Sequence, residues 1–198
     1  IRYYNGGDCF FLSSIEASAT SASIEGFGAQ VAPFQTFDEE FKRATGFEAT
    51  ISLRLLARNQ CPAVSFMRLI DAEPDGNFRV DVPSFNIRQG QQIRGSVTGL
   101  GNRSLHLLLV EDDGQVISVP VPQSAQRGRI DFAAAAASGG RTDRRPQLLV
   151  AIASSERLES ISQQRPADAS ALFPQILAEI ARRNLTIAIV PRYFRLEP

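Results

Sequence analysis

Beyond residue 77 the chain falls into short β-type runs at spacings near ten residues, and few folds accept that rhythm. FRVDV (78–82), QQIRGSVTG (91–99), SLHLLLVE (104–111), QVISVPV (115–121), RIDFAA (129–134) and QLLVAIAS (147–154) are the runs. EDDGQ (111–115), between two of them, has the composition of a hairpin turn. Six such segments predict an Ig-like β-sandwich. One excursion interrupts it: Leu172, Phe173, Ile176, Leu177 and Ile180 recur at helical spacing, so a helix is inserted at about 169–183. LTIAIVPRYF (185–194) then returns as a last, long strand.

The first 70 residues have a different pattern. CFFLSSIEAS (9–18) and SIEGFG (23–28) suit strands, and TFDEEFKRATG (36–46) suits a helix. Thr36 and Glu39 have capping-box spacing, Phe37, Phe41 and Ala44 share a face, and Gly46 is a stop signal. FEATISLRLL (47–56) alternates as a half-buried strand. NQCPAVSFMRLI (59–70) predicts a second helix, with Asn59 as cap and Pro62 in the first turn. The order β-β-α-β-α predicts helices covering one face of a short sheet. AEPDGN (72–77) reads as a linker. The expected fold class is α+β: a small α/β sandwich module at 1–72, followed by an Ig-like β-sandwich with one inserted helix at 77–198.

Charge narrows the choice of partner. The chain carries 21 basic and 21 acidic side chains, so no general pull toward nucleic acid or acidic lipid is expected. Its longest apolar run, FAAAAA (132–137), falls far short of the roughly 18 residues that span a bilayer. The abrupt start at Ile1, in a segment that already looks structured, suggests a piece of a longer protein with any anchor upstream.

Chemistry is sparse. The lone histidine, His106, lies in a strand-like run with Leu108 and Val110 on its face, as a packed sheet histidine would. Two cysteines and one histidine do not make a zinc site, so neither metal nor cofactor is expected. GSVTGLGN (95–102) follows no strand–helix unit and is not a phosphate loop. Glu39–Glu40 suits a helix surface and Asp112–Asp113 a turn; Glu16 and Glu25 could face each other across strands, but nothing marks them as acid and base. No catalytic residue is assigned.

Cys9 and Cys61 therefore decide the compartment. Asp8 beside Cys9 disfavours a reactive thiolate. A Cys9–Cys61 disulfide would stabilise a small module by about 4 kcal/mol in the chain-entropy model. It would imply an oxidising, extracytoplasmic compartment. The other reading is two buried reduced thiols in a cytoplasmic protein.

YNGGDCFF (4–11), IEGFG (24–28), PFQTFDEEFKRATGFEA (33–49) and NQCPAVSFM (59–67) resemble the C-terminal accessory region of bacterial membrane-associated serine/threonine protein kinases and caspase-family proteins. GQQIRGSVTGLGNRSLHLLLVEDDGQVIS (90–118) is similar to their β-rich module. In those chains the region follows a catalytic domain and a transmembrane or linker segment. The Gly-rich loop, β3 lysine, HRD and DFG motifs of a kinase are not in this sequence. The resemblance thus implies a non-catalytic sensor or interaction region of a larger, membrane-anchored signalling protein, in the periplasm, and carries over no catalytic residue.

The expected partner is a protein or an envelope ligand, with no nucleic acid and no membrane insertion by this fragment. Two competitors remain: an envelope enzyme using carboxylates and hydroxyls that spacing does not reveal, and a structural assembly module. If the loops at one end of the sandwich bind, Arg103, Arg141, Arg144 and Arg145 would meet acidic groups. The bland reading is that these arginines only solvate their loops.

Overall fold

The computed structural model of the chain describes residues 4–70, 72, 75–121, 128–135, 144–161 and 166–198. At the N-terminus β1 (Phe10–Ala17) runs antiparallel to β2 (Ala22–Gly28). β2 pairs in parallel with β3 (Ala49–Leu55), which requires the crossover made by α1 (Ala32–Thr45). A 3-10 turn (Arg58–Gln60) then enters α2 (Cys61–Leu69).

The β-β-α-β-α order holds, but the helices do not share a face. Phe10, Ala22 and Ile24 pack on Phe34 and Phe37 of α1. Phe27, pointing the other way from β2, joins Ala63, Phe66 and Met67 of α2. The two glycines of IEGFG explain the close approach of α1. A Cβ at Gly26 would lie 2.6 Å from the Phe34 ring, and one at Gly28 would lie 2.8 Å from it. The aromatic ring takes the space that the glycines leave on that face.

Helix ends also shift from expectation. α1 starts at Ala32 with Pro33 in its first turn, ahead of the Thr36 capping box. Thr36 is interior, and its hydroxyl donates to the Ala32 carbonyl at 3.3 Å. Gly46 ends the helix as expected, left-handed at φ 81° with its N–H on the Lys42 carbonyl. Gln60, rather than Asn59, occupies the cap position of α2.

The β-rich part comprises β4 (Arg79–Asp81), β5 (Asn86–Arg88), β6 (Gln92–Thr98), β7 (Ser104–Val110), β8 (Gln115–Val119), β9 (Arg129–Ala135), β10 (Arg145–Ser154), β11 (Ala167–Asp168) and β12 (Ile187–Glu197), with α3 (Ala169–Arg183) before the last strand. Six strands form one sheet in the order β11-β8-β7-β10-β12-β5, and three form another in the order β4-β6-β9. β12 and β5 pair in parallel; the other described pairs of these two sheets are antiparallel. β5 and β11 are edge segments too short to read from alternation. β10 opens at Arg145, two residues ahead of the QLLVAIAS run. The fold class is α+β.

The six-stranded sheet is buried on both faces, which is why SLHLLLV and QLLVAIAS read as nearly continuous apolar runs. Leu107, Leu109, Leu149, Ala151 and Phe194 share a core with Val80, Val97, Ile130 and Phe132 of the three-stranded sheet. Leu108, Val110, Leu148, Val150 and Ile152 point the other way, into a core with α2 and α3. That core includes Phe27, so it is continuous from the small sheet to the six-stranded sheet. The Gln60 amide nitrogen donates to the carbonyls of Val110 (2.8 Å) and Pro146 (3.2 Å), and the amide oxygen accepts from Ala57 N–H. One buried side chain thus fixes the start of α2 to the ends of β7 and β10.

Candidate functional site

A broad concavity lies on the three-stranded sheet. Val80, Ile93, Val97, Ile130, Phe132 and Ala134 of that sheet face the core. Strand alternation turns Asp81, Arg94, Ser96, Arg129, Asp131 and Ala133 to the opposite face. Register then groups them. Asp81 pairs with Ser96 and Ser96 with Asp131, so two carboxylates flank one hydroxyl in a row across three strands. The neighbouring rows hold Arg79, Thr98 and Arg129 on one side and Arg94 and Ala133 on the other.

Asp81, Arg94, Ser96, Arg129, Asp131 and Ala133, with Pro83 and Pro120, line an open groove of about 590 Å³. Ser96 is buried in its floor. Gly95 keeps the strands close: a Cβ there would meet the Asp81 carbonyl and the Phe132 ring at 2.5 Å. Arg192 of β12 pins the sheet from behind, its Nε donating to the Val80 carbonyl at 2.7 Å. Arg129 Nε donates to Asp131 Oδ1 at 2.8 Å, and Arg94 donates to Gln92 Oε1 at 3.1 Å. Among the described residues, neither the Asp81 carboxylate nor the Ser96 hydroxyl has a hydrogen-bond or ion-pair partner. The groove therefore offers acceptors, donors and a hydroxyl with charges that nearly balance. That chemistry suits a neutral or zwitterionic polar ligand better than a bare ion. Among the described residues no group of three or more His, Cys, Asp or Glu side chains is placed to hold a metal ion.

The four loop arginines are not brought together. Arg103 is an internal clamp: its guanidinium binds Asp75 at 2.6 Å and the carbonyls of Leu100 and Gly99, and it lies over the Phe78 ring. Arg144 is exposed, 3.5 Å from Glu197. Arg145 is buried, 3.6 Å from Asp112, with Nε and one terminal nitrogen unpartnered. Arg141 lies outside the described residues. Ser104, next to Arg103, pairs with Ser154 at the far end of β10 from Arg145. At strand rise that is roughly 30 Å. A single binding end made of these arginines is therefore corrected: the sheet separates Arg103 from Arg144 and Arg145.

The residues weighed for catalysis are engaged elsewhere. Cys9 and Cys61 are joined in a disulfide with Cα atoms 5.0 Å apart. His106 is buried, and its Nε2 accepts the Leu158 N–H at 3.2 Å. Burial, then the charge of Arg157, pushes its pKa down to about 4, so it is neutral at pH 7. Glu16 is opposite Ser23, and Glu25 is opposite Ser13 and bound to Arg54 at 2.6 Å, so these carboxylates do not face each other.

Sequence reasoning missed the Asp81–Ser96–Asp131 row. Its one trace is a repeated triplet, Arg79-Val80-Asp81 and Arg129-Ile130-Asp131, with identical in-out alternation. Nothing local shows that two such triplets flank the same middle strand, because the pairing is long-range.

Among the described residues no helix is long and apolar enough to cross a membrane. No family model matches the chain, and no curated protein matches it. Among solved structures, a DUF4785 family protein from Legionella pneumophila is similar at a TM-score of 0.39 and 14% identity. The match covers 60% of this chain and 28% of that one.

Proposed function

We propose that this chain is a non-catalytic interaction region of a larger multidomain signalling protein, and that the groove on β4-β6-β9 is its binding surface. The observation that carries the reading is the Asp81–Ser96–Asp131 row, a set of convergent polar groups in an open groove of about 590 Å³. The Cys9–Cys61 disulfide supports an oxidising compartment, and with the resemblance of the N-terminal motifs it favours the periplasm. A non-catalytic role is favoured because the thiol and imidazole that could have acted as nucleophile and base are committed to structure.

The ligand class is polar and neutral or zwitterionic, such as an envelope saccharide or a peptide segment of a partner. Amide chemical-shift mapping of the intact chain against a saccharide and peptide panel tests this. Binding shifts should cluster on residues 81, 94–96 and 129–133. Ala133→Trp, which fills an exposed rim position, should abolish them while leaving the fold unchanged. Shifts that map elsewhere, or binding unaffected by Ala133→Trp, would overturn the assignment.

A further inference from the structure

A second polar cluster lies where the small sheet meets the last strand, built from Arg54 of β3, Tyr193 and Arg195 of β12, and Phe85 ahead of β5. The Arg54 guanidinium carbon is 4.9 Å from the Phe85 ring centroid and 5.9 Å from that of Tyr193. Arg195 is 5.7 and 5.8 Å from the same two centroids. The rings themselves are 5.3 Å apart. Two like charges, one from each part of the chain, thus share a single aromatic platform.

The remaining contacts neutralise only one of the two. Arg54 Nε donates to Glu25 at 2.6 Å, and Arg195 Nε donates to the Tyr193 hydroxyl at 2.9 Å. Both bonds use the Nε–H of a guanidinium. Among the described residues, the terminal amino groups of neither arginine have a hydrogen-bond partner. Glu25 pairs with Arg54, and among the described residues no carboxylate pairs with Arg195. Phe85 is 39% exposed, so the cluster opens to solvent.

Holding two cations on one half-buried platform costs Coulomb energy unless an anion offsets it. Both guanidiniums lie over rings, and the Nε–H of each is taken. What remains is the terminal amino groups of two arginines, donors of the kind a planar carboxylate accepts from. The geometry points to a carboxylate-binding site in which Arg54 and Arg195 share one ligand carboxylate. The source is either a small carboxylic acid or an Asp or Glu side chain of an extended acidic segment. The two arginines stand on opposite sides of the seam, so the bound carboxylate also straps β3 to β12.

The test follows the Nε–H resonances of Arg54 and Arg195 in the intact chain during titration with succinate, inorganic phosphate and a blocked tetraglutamate peptide. Saturable shifts at both arginines with succinate or the peptide, weakening as salt is added, support the site. A stronger response to succinate assigns a small acid, and a stronger response to the peptide assigns an acidic chain segment. Arg195→Gln carries the argument, because the side-chain hydrogen bond it loses goes to a neighbour on its own strand; it should cut affinity about tenfold or more with the fold intact. Arg54→Gln also strands Glu25 and serves only as a second variant. Phosphate binding more tightly than either carboxylate, no saturable shift with any probe, or undiminished binding by Arg195→Gln would overturn the assignment.

Discussion

Phe66 of α2 lies against Phe173 of α3, with ring centroids 5.1 Å apart and planes inclined at 37°. The two rings come from segments 107 residues apart in sequence, on either side of the expected linker. Both sit in the core that runs from Phe27 of the small sheet to Leu108 and Val150 of the six-stranded sheet. Truncating either ring to Ala should cost about 3–5 kcal/mol. Because the core is continuous, urea unfolding followed by circular dichroism should remain a single transition at a lower midpoint. A Phe173→Ala variant that split the curve, with the N-terminal half melting unchanged, would contradict this coupling.

Three consecutive backbone amides, those of Leu158, Glu159 and Ser160, are held by two side chains from different elements. His106 accepts the first, and the Glu179 carboxylate accepts the second and third at 2.8 Å each. Burial would raise Glu179, but hydrogen bonds from Ser160, the Glu159 backbone and Arg183 outweigh it and bring its pKa to about 2. Both folded-state values lie below the unfolded ones, so for both groups the unfolded chain binds protons first and stability falls as pH drops. His106 contributes fully above about pH 6.5 and loses its share, roughly 3 kcal/mol, as pH falls to about 4. The Glu179 contribution is lost from about pH 4.5 down to about 2. Since the chain has one histidine, its imidazole resonance can be followed alone, and it should show no titration near pH 6.5. His106→Gln should flatten the stability profile between pH 6.5 and 4 and leave the lower limb.

The disulfide links β1's approach to the first turn of α2 and so clamps the small sheet onto the helix that anchors the rest. Reduction should lower stability by about 4 kcal/mol. Hydrogen exchange should rise first in β1 and β2, since α2 keeps its packing on α3. Intact mass after alkylation of never-reduced protein should show no free thiol, and two alkylated cysteines would move the protein to a reducing compartment.

What could be read from the sequence followed from local signals. The helix stop at Gly46, the strand of His106 and the inserted helix rest on residues within a few positions of one another, and all are present. The expectation of both helices on one face failed because Gly26 and Gly28 clear space on one side of β2 while Phe27 fills the other. That choice depends on where the Phe34 ring docks. The groove and the Arg54–Arg195 cluster were invisible for a related reason. Asp81 and Asp131 each meet Ser96, and Arg54 meets Phe85 and Tyr193, only through long-range register and sheet packing.

Arg144 and Arg145 are neighbours in sequence with opposite fates. The Arg144 side chain is 69% exposed and only 3.5 Å from Glu197, so its ion pair is screened by solvent. Arg144→Glu should change stability by less than about 1 kcal/mol. The Arg145 side chain is 8% exposed, faces Asp112 at 3.6 Å, and lies near Glu111, whose pKa burial and the neighbouring Asp113 and Asp112 raise. Replacing it with Glu would put a third carboxylate beside Asp112 and Glu111 with the one cation gone. Breaking a buried pair in this way costs about 3–5 kcal/mol. Arg145→Gln should be milder, because it adds no charge. Thermal melts of the three variants should therefore rank Arg144→Glu above Arg145→Gln above Arg145→Glu. If Arg145→Glu melted with the wild type, the ion pair with Asp112 would not exist in solution and Arg145 would return to the surface as a candidate contact.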